Sequence, residues 1–511
     1  MRSYLSAFLF ILHLYCPKYN RVYMSPLTSN DFNSTERFSS KKVSRKDFLG
    51  IFTMVIVPMF LAAIDQTLLA AATPAIAQDL GGIQIASWIA IGYLLAGAAS
   101  VPIHGWLGDR YGRRNILIAA LFIFSVGSVV AALSSSMTML ITGRVIQGIG
   151  GGGLMSLSQA LIGELVPPRQ RARFQGYFSS MFALASVSGP VVGGVIVSYL
   201  SWHWLFWANL PIAAFAVYRL CQLKQSEILS KSRTIDWWGL LLFPLTTTII
   251  IYWLSSGGHE FYWKSITSYQ LLGAIFILSI VFIFQQSRAQ DSFLPLTLLA
   301  RKEIHIPLIS SFLFAACMFS LVFFLPIYLQ LGLGTNAAMS GLLLLPLTAG
   351  IITGAYTTGK TIARTGVPKW MPVIGMSIAT CGFVLLGLLE PSRYLTGILG
   401  LVCGLGLGSV MPSTQILIQT VGGKANLGRV TAMASLCRSL GASVGTALFG
   451  ALTYSLIPNF SNDSTIADLL MSPKVPIIQA FQMGFLVAGG LAFITVLNAL
   501  RAPRIHLDDY D

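Results

Sequence analysis

GWLGDRYGRRNILIAALFIFSVGSVVAAL, residues 105–133, joins two kinds of sequence. Its first ten residues carry three glycines and four charges, and the run from Ile116 to Leu133 carries no charge at all. A run of that kind, about 20 residues long, matches the hydrocarbon thickness of a bilayer. Lipid offers backbone groups no hydrogen-bond partner, so the run has to be a helix that satisfies its own. The same alternation of short basic turn and apolar run continues through most of the 511 residues. They are 55% hydrophobic and only 10% charged, with a mean hydropathy of +0.73. A soluble domain carries roughly 25% charged residues. The fold class that follows is an all-α polytopic membrane protein.

Apolar runs between charged, proline or glycine breaks predict fourteen spans, near 48–72, 85–105, 114–134, 139–163, 173–198, 203–222, 235–255, 269–287, 305–330, 338–358, 369–388, 395–420, 430–455 and 478–500. Charge tests the count. Even-numbered loops carry Arg110, Arg113 and Arg114; Arg169, Arg171 and Arg173; Arg219, Lys224, Lys231 and Arg233; then Arg288, Arg301 and Lys302; Lys360, Arg364 and Lys369; and Lys424 with Arg429. Odd-numbered loops offer only Lys264, Arg393 and Lys474. Basic loops stay on the cytoplasmic side, so both termini are expected inside. A net charge of +15 spread over short loops in this way suits membrane topology and not nucleic acid.

An internal repeat divides the chain. GWLGDRYG at 105–112 aligns with GKTIARTG at 359–366, where Ala363 replaces Asp109. GGLMSLSQ at 152–159 aligns with GSVMPSTQ at 408–415, an offset that also carries Arg173 onto Arg429 and Gly189 onto Gly445. The expected domains are an N-terminal tail or misassigned start at 1–47, a six-helix bundle at 48–222, a linker with inserted helices seven and eight at 223–304, a second six-helix bundle at 305–500, and a cytoplasmic tail at 501–511.

Ionisable groups inside hydrocarbon cost about 2.5–3.5 kcal/mol each on insertion scales, which makes them the leading functional candidates. Asp65 in helix one, Arg144 in helix four and Arg438 in helix thirteen are the clear cases. Asp65 and Arg144 are each placed roughly 10 Å below the outer surface, at 1.5 Å per residue. Sharing a layer, they are candidates for proton coupling, with Arg144 holding Asp65 ionised until the pair is weakened. A fixed ion pair fastening two helices is the structural alternative. In the loop between helices two and three, Gly105, Asp109, Arg110, Gly112, Arg113 and Arg114 form a candidate gate, with Asp109 expected at the positive N-terminus of helix three. In helix five, Gly189, Pro190, Gly193 and Gly194 would bend the helix and admit a close neighbour. Arg438 with Gln419 is a possible polar site in the second bundle. Trp88, Tyr93, Phe182, Phe323, Phe324 and Tyr328 could line a cavity or simply fill cores.

The six cysteines and six histidines are dispersed without ligand or redox spacing, so no metal and no cofactor is expected. The chain also reads as carrying neither a hydrolytic site nor an ATP-driven engine. It is not expected to be an enzyme.

These motifs resemble the major facilitator superfamily, and within it the fourteen-helix drug:proton antiporters of the EmrB/QacA type. GWLGDRYGRR resembles that superfamily's loop motif, GRVIQGIGGG at 143–152 its helix-four arginine motif, and ASVSGPVVGG at 185–194 its helix-five antiporter motif. IDQTLLAAATPAI at 64–76, IDWWG at 235–239, FFLPIYLQ at 323–330, SGLLLLP at 340–346 and the Arg438-Ser-Leu-Gly run add to the likeness. Departures are Ala185 in place of a glycine and a helix ten with no carboxylate, against a preference for divalent drugs. The resemblance implies two bundles rocking around a central site, with protons driving export of small hydrophobic or cationic compounds across an inner (plasma) membrane. The expected partners are the small-molecule substrate, protons and the lipid bilayer, and a periplasmic adaptor stays open. The alternatives are an exporter of one dedicated metabolite, such as a siderophore, amino acid or lipid-like molecule, and a membrane sensor that kept the fold.

Overall fold

The computed structural model describes residues 45–81, 85–86, 88–223, 236–257, 261–289, 294, 296–457 and 474–510. The expectation of a tail at 1–47 lies outside them except at 45–47, which open the first helix. Among the described residues fourteen long helices follow one another. They are α1 (Arg45–Leu80), α2 (Trp88–Tyr111), α3 (Arg113–Ala132), α4 (Met137–Leu165), α5 (Pro168–Tyr199), α6 (Trp204–Cys221, interrupted at Ala208), α7 (Trp237–Ser256), α8 (Ile266–Arg288), α9 (Lys302–Leu331), α10 (Ala337–Thr365), α11 (Trp370–Leu388), α12 (Arg393–Gly422, interrupted at Ser409), α13 (Leu427–Ser455) and α14 (Lys474–Leu500). Thirteen of them are long and apolar enough to cross a membrane. The exception is α5, several of whose side chains lie outside the described residues.

Short polar residues start several helices where the apolar runs begin. Ser136, Asp236, Ser265 and Asn336 each accept a hydrogen bond from a backbone N–H three residues on, satisfying a donor the first turn would otherwise leave free. Several boundaries differ from expectation, two of them instructively. The alanine-rich segment after Asp65 carries α1 on to Leu80, eight residues past the expected end at 72, because alanine is the strongest helix former. And α2 continues through Gly105–Tyr111, so most of the supposed loop is helix. The turn itself is Gly112, at φ 89°, a conformation that a side chain would strain.

Helices pack in a pattern that recurs eight positions on. Just as α1 packs on α5, α2 on α4, and α3 on α4 and α6, so α9 packs on α13, α10 on α12, and α11 on α12 and α14. Glycines mark the equivalent contacts. A Cβ on Gly189 of α5 would lie 2.0 Å from the Thr67 hydroxyl of α1, and one on Gly445 of α13 would lie 2.3 Å from the Ala316 carbonyl of α9. The first six helices share one apolar core around Leu61, Phe124, Phe174 and Phe206, and the last six another around Leu325, Phe383, Phe481 and Phe485. Contact between the two sets runs mainly along two seams, α2 against α13 and α5 against α10. Outside this pattern, α7 lies over the first seam, where Phe243 joins Trp106 of α2 and Leu436 of α13. Its partner α8 exposes nearly all of its apolar length, as a helix facing lipid would.

Candidate functional site

The Asp65 side chain of α1 is buried at 3% exposure. Arg144 Nη1 of α4 donates to its Oδ2 at 2.6 Å. Gln147 Nε2, one turn further along α4, and Asn209 Nδ2 of α6 both donate to Oδ1 at 2.9 Å. The Gln147 amide also reaches Ser128 Oγ of α3 at 2.8 Å, while its Oε1 accepts from Arg144 Nη1 at 2.5 Å. Arg144 further donates from Nε to the Ile89 carbonyl of α2 at 3.2 Å and lies 4.3 Å above the Tyr93 ring. The hydrogen-bond network centred on this carboxylate therefore joins five helices, α1 to α4 and α6. The expected pairing of Asp65 with Arg144 is present, and with α1 extended Asp65 stands 15 residues, about 22 Å, before the helix end at Leu80. Sequence reasoning missed Gln147, Asn209 and Ser128. Only Gln147 gave a signal, because spacing of three from Arg144 puts it on the same helix face.

Asp109 does not sit at the N-terminus of α3. Its Oδ1 and Oδ2 accept from the Gly428 and Arg429 backbone N–H groups of α13, at 2.7 and 2.9 Å. The carboxylate thus caps a helix of the other half, where unpaired N–H groups and the helix dipole favour negative charge. Arg113 Nη2 donates to Asp109 Oδ1 at 2.7 Å and to the Lys424 carbonyl at 2.7 Å, and its Nη1 pairs with Glu164 of α4. Gly105 makes this approach possible, since a Cβ there would stand 2.5 Å from the Gly428 carbonyl. Two other members of the predicted gate do different work. Arg114 donates to the Leu220 and Cys221 carbonyls at 2.8 and 3.1 Å, closing the C-terminus of α6 within its own half. Arg110 lies against the Trp106 and Tyr111 rings.

At the equivalent seam, Ala363 can supply no such cap. There the C-terminal segment crosses over: Leu507 N donates to the Gly366 carbonyl at 3.0 Å, and Asp508 pairs with Arg169 at the start of α5.

In helix five, Gly189 and Gly193 press on Thr67 and Leu68 of α1, but Gly194 has nothing within 4 Å and is not a packing glycine. The side chain of Pro190 lies outside the described residues, and α5 runs as one helix past it. Arg438 and Gln419 do not bond to each other. Arg438 takes Gln415 Oε1 at 3.1 Å and Ser435 Oγ at 2.8 Å. Gln419 Nε2 instead donates to Thr431 Oγ1 and, across the halves, to the Gln159 carbonyl of α4, both at 3.1 Å. Of the aromatics, Phe324 stacks on Phe449 and Tyr328 meets Phe485 edge-on in the second core.

Two stretches spell enzyme patterns that the sequence reading passed over. GAYTTGKT at 354–361 has the spacing of a phosphate-binding loop and GASVG at 441–445 that of a hydrolase serine turn. Both run inside unbroken helices, α10 and α13, so neither forms the loop or elbow its chemistry requires. Among the described residues no group of three His, Cys, Asp or Glu side chains could hold a metal ion.

The Major Facilitator Superfamily model matches residues 55–446. The chain belongs to the major facilitator superfamily. Similar members include an uncharacterised transporter of Mycobacterium tuberculosis, 33% identical over 480 residues that cover 90% of this chain and 70% of that one. The multidrug transporter protein MdtP of Bacillus subtilis is 33% identical over 421 residues, 81% of this chain and 77% of its own. In fold, the proton:xylose symporter XylE superposes with a TM-score of 0.62 over 91% of this chain and 99% of its own, at 14% identity. As a major facilitator the chain is a multi-pass membrane transporter of small molecules and not an enzyme.

Proposed function

We propose that this major facilitator is a drug:proton antiporter of the EmrB/QacA type, exporting drugs or other small hydrophobic or cationic compounds across the plasma (inner) membrane by alternating access. The observation that carries the reading is the buried Asp65 carboxylate and its donors. Arg144, Gln147 and Asn209 complement an ionised carboxylate. A proton arriving at Asp65 removes the counter-charge of Arg144 and replaces an acceptor with a donor, so the five-helix junction must rearrange. Coupling follows if substrate release and protonation favour the same rearrangement. The Asp109 cap on α13 would hold one side of the molecule shut in the state with Asp65 paired to Arg144.

In this reading α5 spans as well, giving fourteen helices, and the basic even-numbered loops place both termini in the cytoplasm. The two six-helix sets act as the rocking bodies, with α7 and α8 as an addition at the α2–α13 seam. Export of drugs draws support from the likeness to multidrug transporters such as MdtP.

The test is efflux of ethidium and rhodamine B from energised inverted vesicles or cells, with wild type beside Asp65→Asn, before and after collapsing the proton gradient. Efflux that needs both the carboxylate and the gradient is the expected result. Folded wild type that moves neither dye would overturn the reading and put an exporter of one dedicated metabolite in its place.

A further inference from the structure

One charge within the helices lacks a partner of opposite sign among the described residues. Asp65 cancels Arg144, and Arg113 faces Asp109 and Glu164, but Arg438 meets no carboxylate among the described residues. It stands 11 residues into α13, about 16 Å along the helix from Leu427. A guanidinium at such depth without a counter-ion is costly, and neutral partners such as Gln415 and Ser435 offset only part of that cost.

The surroundings are unusual in the same direction. Gln415 of α12 is fully buried; its Oε1 is taken by Arg438, and its Nε2 donors have no partner. Guanidinium and amide therefore present N–H groups side by side. Arg438 itself is half-buried, so its guanidinium keeps some exposure beside the buried amide. One turn along α12, Gln419 crosses to the Gln159 carbonyl of α4, which places the cluster where the two helix sets meet. Gln159 and Gln415 are equivalent positions of the repeat, yet the first half offers no counterpart to the lone cation.

We propose that Arg438 and Gln415 form a subsite for an anionic group, in the first instance a carboxylate, on the transported compound. This rests on the exporter reading and narrows its substrate class to amphipathic acids and zwitterions. A planar carboxylate suits the pair, because the guanidinium fork and the amide can each donate to one of its oxygens. Purely cationic compounds meet an uncompensated positive charge at the same place and bind less well.

Rhodamine B, which carries a free carboxylate, and its methyl ester, the same dye without the anion, provide the test. Fluorescence polarisation with purified protein in nanodiscs, without any gradient, measures binding alone. Wild type is expected to bind the acid about tenfold more tightly than the ester, the effect of one charge-assisted contact. Arg438→Gln should erase the preference and Arg438→Lys should retain part of it, both checked for folding by gel filtration and circular dichroism. Equal binding of the two dyes by wild type, or a preference that survives in Arg438→Gln, overturns the subsite. If Arg438→Gln fails to fold, the lysine variant and Gln415→Leu decide on the same criterion. Selective binding of the acid without gradient-driven movement of it in proteoliposomes would sink the exporter reading and leave the subsite standing.

Discussion

At the scale of single residues, the most telling contact is the one Asp109 makes. Its carboxylate closes the N-terminus of α13 across the boundary between the halves. Replacing it with asparagine keeps the shape and removes the charge, which should weaken the seam by ~1 kcal/mol. A cysteine at Ala432, which lies fully buried beside Gly105 in that seam, reports the change. In a cysteine-depleted background, Asp109→Asn should raise maleimide labelling at that position about fivefold. Unchanged labelling would mean that the cap does not hold the seam. The residues themselves were legible in different degrees. Asp65 and Arg144 stand out in sequence because hydrocarbon penalises charge so heavily. Gln147, Asn209, Ser128 and Gln415 do not, since neutral amides and hydroxyls are common in membrane helices and only their partners reveal a role. The partner of Asp109 was misread as the nearest helix start, whereas the real one is 319 residues away.

Helices were the most legible level, because apolar length and basic turns mark them directly. Their ends were less so. The turn after α2 looked like a ten-residue loop because glycines and charges usually signal one, yet Gly105 is there for close packing and only Gly112 turns the chain. Helix five separates two meanings of glycine within one motif. Gly189→Ala forces a methyl group into Thr67 and should destabilise the α1–α5 contact by ~1–3 kcal/mol. Gly194→Ala meets open space, and alanine's better helix propensity should leave stability equal or slightly raised. Thermal unfolding of the two purified variants against wild type checks the contrast. A Gly194→Ala loss as large as that of Gly189→Ala would show that the motif acts on something other than this packing. The Arg169–Asp508 pair, exposed at 38% and 51%, should by contrast contribute under ~1 kcal/mol, so Asp508→Asn is expected to unfold with wild type.

For the molecule as a whole, the repeat carries the architecture: equivalent helix pairs recur eight positions on, and equivalent glycines make their closest contacts. Short matches such as GGLMSLSQ with GSVMPSTQ were enough to propose it, because close helix approach constrains both copies alike. Chemistry was not repeated. Asp65, Arg144 and Asp109 belong to the first half, and a lone Arg438 to the second, so exchange between the halves has to be asymmetric. In the proposed antiport the proton is carried by Asp65 in the first half, which makes substrate-driven proton flux the most direct test. Proteoliposomes are loaded with a pH-sensitive dye at acid internal pH, and rhodamine B is added outside. The account predicts that the added compound speeds loss of internal acidity with wild type and has no such effect with Asp65→Asn. Transport of the compound with no proton movement, or an Asp65→Asn response equal to wild type, would contradict it.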